Sequence, residues 1–127
     1  MLALGFVLPQ CLADLVLVRI HLLDGKNSKN EMVGGLKIVQ VKTGHEAELE
    51  RLFAGLRSEM RAHEPGCLLY SLLKSRAKPG AYIVHEQYRD QAALDFHQKS
   101  AHGAKYFPLM RAIIEKIEVE YFDGVVD

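Results

Sequence analysis

The chain has 127 residues, 16 Lys and Arg against 16 Asp and Glu, and 49% hydrophobic residues, including five Tyr, five Phe and no Trp. That length suits one domain with a real core and is too short for two. Zero formal charge without a Lys/Arg-rich block gives no electrostatic footprint for nucleic acid or an anionic membrane. Cys11 and Cys67 lack CxxC or Cys/His spacing, and they read as free thiols of a reducing, cytoplasmic compartment rather than a disulfide or zinc site.

The N-terminal stretch "MLALGFVLPQCLADLVLVRIHLLDG" is strongly apolar. Pro9, Asp14 and Arg19 interrupt it before the roughly 20 residues that a membrane helix needs, and no basic residue precedes "LALGFVL" as in a secretory signal. "LVLVRIHLL" has the composition of a strand ending at Asp24-Gly25, and "DGKNSKNE" is linker-like. Residues 1–33 are therefore expected to be an extension, vector-derived or from a mis-assigned start. The rival reading is an added edge strand or a segment exchanged between subunits. The domain proper is expected over residues 34–127.

"LKIVQVK" (36–42) reads as a strand. Thr43-Gly44-His45-Glu46 fits a capping box, with Thr43 and Glu46 exchanging bonds. The helix that follows carries Leu49, Leu52, Phe53, Leu56, Met60 and His63 on one stripe, and Pro65-Gly66 ends it. "CLLYSLLK" (67–74) and "AYIVHEQY" (81–88) are strands of a hairpin. In the second of them Tyr82, Val84, Glu86 and Tyr88 share one face, and Ile83, His85 and Gln87 the other. Asp90 caps a helix with Ala93, Leu94, His97 and Ala101 on one side; Ser100 caps a shorter helical piece stopped near Pro108. "EKIEVEYF" (115–122) alternates, with Ile117, Val119 and Tyr121 inward and glutamates outward.

The order β-α-β-β-α-β predicts an α+β, ferredoxin-like split β-α-β fold, an antiparallel sheet with its helices on one face. The other face would be apolar and uncovered, so a homodimer formed through the sheets is expected.

Glu64-Pro65-Gly66, Tyr70, Tyr82, Glu86, Tyr88, Asp90, Ala93-Leu94, His97 and His102 stand in the order and spacing of a known pattern. Over residues 36–122 the chain resembles the antibiotic biosynthesis monooxygenase superfamily of dimeric α+β barrel proteins. The resemblance implies a pocket between sheet and helices in each subunit of a homodimer. Among its chemistries are cofactor-free oxygenation of hydroxylated aromatics and quinols by dioxygen, haem degradation and isomerisation of a phosphorylated sugar. Haem-degrading members have a tryptophan where this chain has Tyr88 and a ligating histidine where it has Phe107, so no cofactor is expected. The leading reading is a cofactor-independent monooxygenase; the alternatives are an isomerase of a sugar-like metabolite and a non-catalytic dimeric ligand-binding domain.

His97, His102 and Glu86 are the candidate catalytic groups, because an imidazole titrates near neutrality and a carboxylate in mid-strand demands a reason. Tyr70, Tyr82, Tyr88 and Phe107 are the candidate substrate-binding residues. Each has a plainer reading beside it. His97 as a packed core histidine stands about even with the functional role. His102, at a helix N-terminus, is either a neutral base or a structural hydrogen-bonding group. Glu86 is rather a structural partner of Arg89 or Arg111, and Tyr82 and Tyr88 rather wall than catalyst. His85 is assigned to the opposite face, and His45 and His63 to the surface. No metal is expected, since His97 and His102 lie five apart across a helix break. An isomerase would have to use Lys99 or Lys105 for phosphate.

Overall fold

The computed structural model describes residues 31–126. The apolar run 15–23, Cys11 and most of the expected extension lie outside the described residues. The elements are β1 (Val33–Val41), α1 (Glu46–His63), β2 (Cys67–Lys74), β3 (Ala81–Tyr88), α2 (Gln91–Lys99), α3 (Ala101–Ile113) and β4 (Ile114–Asp123). The strands form one sheet in the order β2-β3-β1-β4, antiparallel throughout. This is the ferredoxin-like arrangement, and no helix among the described residues is long and apolar enough to cross a membrane.

Register assigns the faces. Tyr70, Glu86, Gly35 and Tyr121 form one row across the sheet; Leu72, Val84, Lys37 and Val119 form the next; Lys74, Tyr82, Val39 and Ile117 the third. These rows face the helices, because side chains two apart on a strand share a side. Val39, Val41, Val84 and Tyr70 meet Leu49, Phe53, Leu56 and Met60 of α1 and Met110 and Ile113 of α3 in the main core. The α1 stripe is thus the packing face, although His63 at its end is exposed.

Four local expectations need correction. First, β1 starts at Val33 rather than Leu36, taking in Gly34 and Gly35. A Cβ at Gly35 would lie 2.6 Å from Glu86 Cγ, so the strand there needs a residue without a side chain. Second, the Thr43 capping box does not form. Gly44 takes φ +88°, the Lys42 carbonyl accepts from His45 N–H, and α1 begins at Glu46, two residues later than a Thr43 cap would start it, with no side-chain cap. Third, α3 runs through Pro108 to Ile113. Burial of Met110 and Ile113 on its last turn holds the helix together across the missing N–H. Ala101, at its start, is exposed rather than on the buried side. Fourth, Ile117, Val119 and Tyr121 point to the helical side as expected, yet are 46%, 48% and 39% exposed. They line a cavity that opens beside β4.

Candidate functional site

Glu64 is placed by Pro65. A residue before proline is pushed out of the helical region, and Glu64 has φ −123°, ψ 75° while its N–H still closes the last turn of α1 on the Met60 carbonyl at 2.7 Å. The carboxylate is buried at the end of α1, beside the start of α3, where the positive end of the helix dipole favours an anion.

His97 and His102 are brought together by the break at Ser100. On one continuous helix, five residues would separate two side chains by about 140°. Ser100 instead ends α2 with extended backbone and starts α3. Its hydroxyl donates to the His97 carbonyl at 2.7 Å and accepts from Gly103 N–H at 3.0 Å. Both imidazoles then turn to the same carboxylate. His97 Nδ1 lies 3.1 Å from each Glu64 oxygen, and His102 Nε2 bonds to Glu64 Oε2. A carboxylate only accepts, so each of these ring nitrogens carries the proton. His97 Nε2, the nitrogen turned from Glu64, therefore holds a lone pair, and it is buried with no partner among the described residues.

The His97 ring sits against three aromatic rings: Tyr70 at 5.2 Å, Phe107 at 5.2 Å and Tyr88 at 5.5 Å between centroids. Burial lowers its pKa below 6.5, with Glu64 opposing that shift, so the ring is a neutral imidazole at pH 7. Burial and the Glu86 charge push the Tyr70 and Tyr88 phenols far upward, so they can donate a hydrogen bond but do not ionise.

A cavity of about 400 Å³ lies between β1, β4 and the helices. His97, Tyr70, Phe107 and Phe53 line it, with Lys37, Gln98, Tyr121 and Arg111 among the polar lining. Phe53 stacks on Tyr70 at 4.8 Å, holding the phenol in place. Gln98 donates to the Tyr121 hydroxyl at 3.3 Å and ties α2 to β4.

The remaining expected residues stand elsewhere. Glu86 is fully buried, and its partner is Lys37 rather than Arg89 or Arg111. The ammonium lies 3.2 Å from Oε2, within ion-pair range, although the geometry is not that of a hydrogen bond. Arg89 pairs instead with Asp90. Tyr88 packs behind His97 with its hydroxyl unpartnered. Tyr82 is removed from the cavity and donates to Glu50 at 2.9 Å. His102 lies behind Glu64 and borders a separate, shallow depression with His63, Lys99 and Lys105. His85 is on the opposite face, and His45 pairs with Glu48 at 3.0 Å.

Glu64, His97 and His102 also have ligating atoms within 4.8 Å of one another, a His-His-carboxylate donor set that suits a transition metal. As folded, His97 Nδ1, His102 Nε2 and the Glu64 carboxylate are already engaged with one another. The five-residue spacing that argued against convergence was misleading, because the helix break turns both rings to one point. Glu64 and Lys37 were missed as site residues. Glu64 carried a signal, a carboxylate fixed at a helix end by proline; Lys37 had only its strand parity with Gly35 and Val39.

The model of the antibiotic biosynthesis monooxygenase family matches residues 32–109. The chain belongs to this family. A candidate antibiotic biosynthesis monooxygenase from Caulobacter crescentus is 30% identical, covering 77% of this chain and 93% of its own, with a TM-score of 0.72. A Shewanella oneidensis protein is 28% identical over 73% of this chain and 90% of its own, with a TM-score of 0.67. A Pseudomonas aeruginosa protein is 26% identical over 77% and 98%, with a TM-score of 0.68. No curated protein matches the chain. Within this monooxygenase family the cavity, not the fold, has to specify the reaction.

Proposed function

We propose that the protein is a cofactor-independent monooxygenase of a small hydroxylated aromatic or quinol, with His97 as its base. One observation carries the reading: a neutral imidazole, held by Glu64 at Nδ1 and unpartnered at Nε2, stands in the wall of a mostly apolar cavity. The cavity's volume falls in the range of about 300–1,000 Å³ usual for small-molecule sites.

His97 Nε2 takes the proton of the substrate hydroxyl, and Glu64 stabilises the imidazolium that forms. The Lys37 ammonium, at the same wall, stabilises the phenolate. The phenolate passes one electron to dioxygen, and superoxide recombines with the ring radical at carbon. The resulting hydroperoxide loses water to leave a carbonyl. Phenol plus dioxygen thus becomes quinone plus water, and the substrate supplies all four electrons, so no reductant is needed. Lys99 and Lys105, the phosphate partners an isomerase would use, border the other depression. That placement favours oxygenation.

The assembly proposed is a dimer through the open sheet face, where Ile38, Leu73 and Phe122 are about half exposed. Oxygen uptake with a panel of quinols and naphthols tests the function, comparing wild type with His97→Ala and His102→Ala. Uptake by wild type and its loss in His97→Ala is expected, with a smaller loss in His102→Ala. Undiminished uptake in His97→Ala would remove the mechanism. Tight binding without uptake would assign a binding module instead.

A further inference from the structure

We infer that the preferred substrate carries an acidic substituent, bound by Arg111 at the end of the cavity opposite His97. The inference rests on the cavity being the substrate site and deepens that reading. Among the described residues the charged side chains lining the cavity are Lys37 and Arg111, both cations, with no Asp or Glu. The rest of the wall is largely Val, Leu, Ile, Phe and Met, while Arg111 itself is an exposed side chain whose charge water screens in part.

The two cations differ. Lys37 has Glu86 at 3.2 Å, so its charge is matched within the sheet. Arg111 has no ion pair among the described residues. Its position on the last turn of α3 is electrostatically comfortable, since a helix C-terminus favours a cation. That explains the charge but not why the side chain contributes to this cavity. A planar guanidinium there offers the paired N–H groups that match a carboxylate.

Sequence position along the sheet separates the two ends. His97 packs on Tyr70, in the row of Gly35 and Glu86. Arg111 lies on the last turn of α3, three residues before Ile114, the first residue of β4, which pairs with Val41 at the other end of β1. A ligand filling the cavity with its hydroxyl at His97 would direct its far edge toward Arg111. The substrate class is therefore an elongated hydroxy-aromatic acid, hydroxyl and carboxylate on opposite rims.

Calorimetric binding under nitrogen tests this without turnover. The probes are a hydroxynaphthoate with its two groups on opposite rings, the matching hydroxynaphthamide, and naphthol. Full-length wild type is compared with Arg111→Gln and Arg111→Lys, each checked for native circular dichroism. The acid is expected to bind about three- to tenfold tighter than amide or naphthol, the scale of a partly screened ion pair. Arg111→Gln is expected to erase that preference, with Arg111→Lys intermediate. Equal binding of acid and amide, a preference that survives Arg111→Gln, or no binding of any probe would overturn the inference. Oxygen uptake on neutral naphthol, lost in His97→Ala, would in that case leave the base mechanism standing.

Discussion

Replacing Glu64 by Gln keeps the shape of the buried side chain and removes what the two histidines need. The carboxylate accepts from His97 Nδ1 and from His102 Nε2. An amide has one acceptor oxygen and an NH2 that only donates. With its oxygen in place of Oε2 the amide still meets both rings. Its NH2 then faces the His97 Nδ1 proton across 3.1 Å, which weakens that bond and favours a switch of the His97 tautomer. Charge-assisted hydrogen bonds contribute about 1.5–3 kcal/mol and neutral ones about 1 kcal/mol, so Glu64→Gln should cost about 1–3 kcal/mol of stability. Where His97 is the ring that switches, its proton moves to Nε2 and the lone pair is gone. The general-base contribution at stake is about a hundred- to ten-thousandfold in rate. Burial lowers the His97 pKa and Glu64 opposes it, so the variant's residual activity should also show its acid limb at lower pH. Oxygen uptake across pH, with urea unfolding on the same preparation, measures all three effects. Wild-type uptake and an unchanged urea midpoint in Glu64→Gln would refute the reasoning.

The folded-state pKa of His97 lies below 6.5, so the unfolded chain binds more protons in the window between the two values. Stability should therefore be full above pH 6.5 and fall as pH drops through that window, a slope that is absent in His97→Gln when urea midpoints are compared. Lys37→Met strands the buried Glu86 carboxylate and should cost about 3–5 kcal/mol; adding Glu86→Gln should restore most of it, and a double variant no better than the single would contradict the ion pair. Gly35→Ala puts a Cβ 2.6 Å from Glu86 Cγ and 2.9 Å from Cδ. With both buried, overpacking should cost about 1–3 kcal/mol in urea unfolding.

Local chemistry was legible in the sequence wherever a period or a cap decides it. The alternation of 81–88 assigned Tyr82, Val84, Glu86 and Tyr88 to one face, and all four are buried together. Asp90 and Ser100 cap as their residue types suggest, accepting from Ala93 and Gly103 N–H. The misses came from interactions that only tertiary structure brings together. Glu64 reads as the residue before a turn, and its partners lie 33 and 38 residues on. Lys37 reads as a polar interruption of an apolar strand until Glu86 appears in the neighbouring strand, one row away. Pro108 reads as a stop, which the packing of α3 overrides. Grouping Glu86 with the histidines followed from its unusual place in a strand, yet the carboxylate that holds both rings is Glu64.

The claim on which the account turns is that Glu64 holds the His97 imidazole by Nδ1 and leaves Nε2 unprotonated beside the cavity. Nitrogen chemical shifts of isotope-labelled histidine report that state directly, with His97→Gln assigning the signal. The account predicts a neutral ring protonated at Nδ1 at pH 7, with the Nε2 shift changing when a hydroxynaphthoate binds. A ring protonated at Nε2, or an imidazolium at that pH, would contradict it.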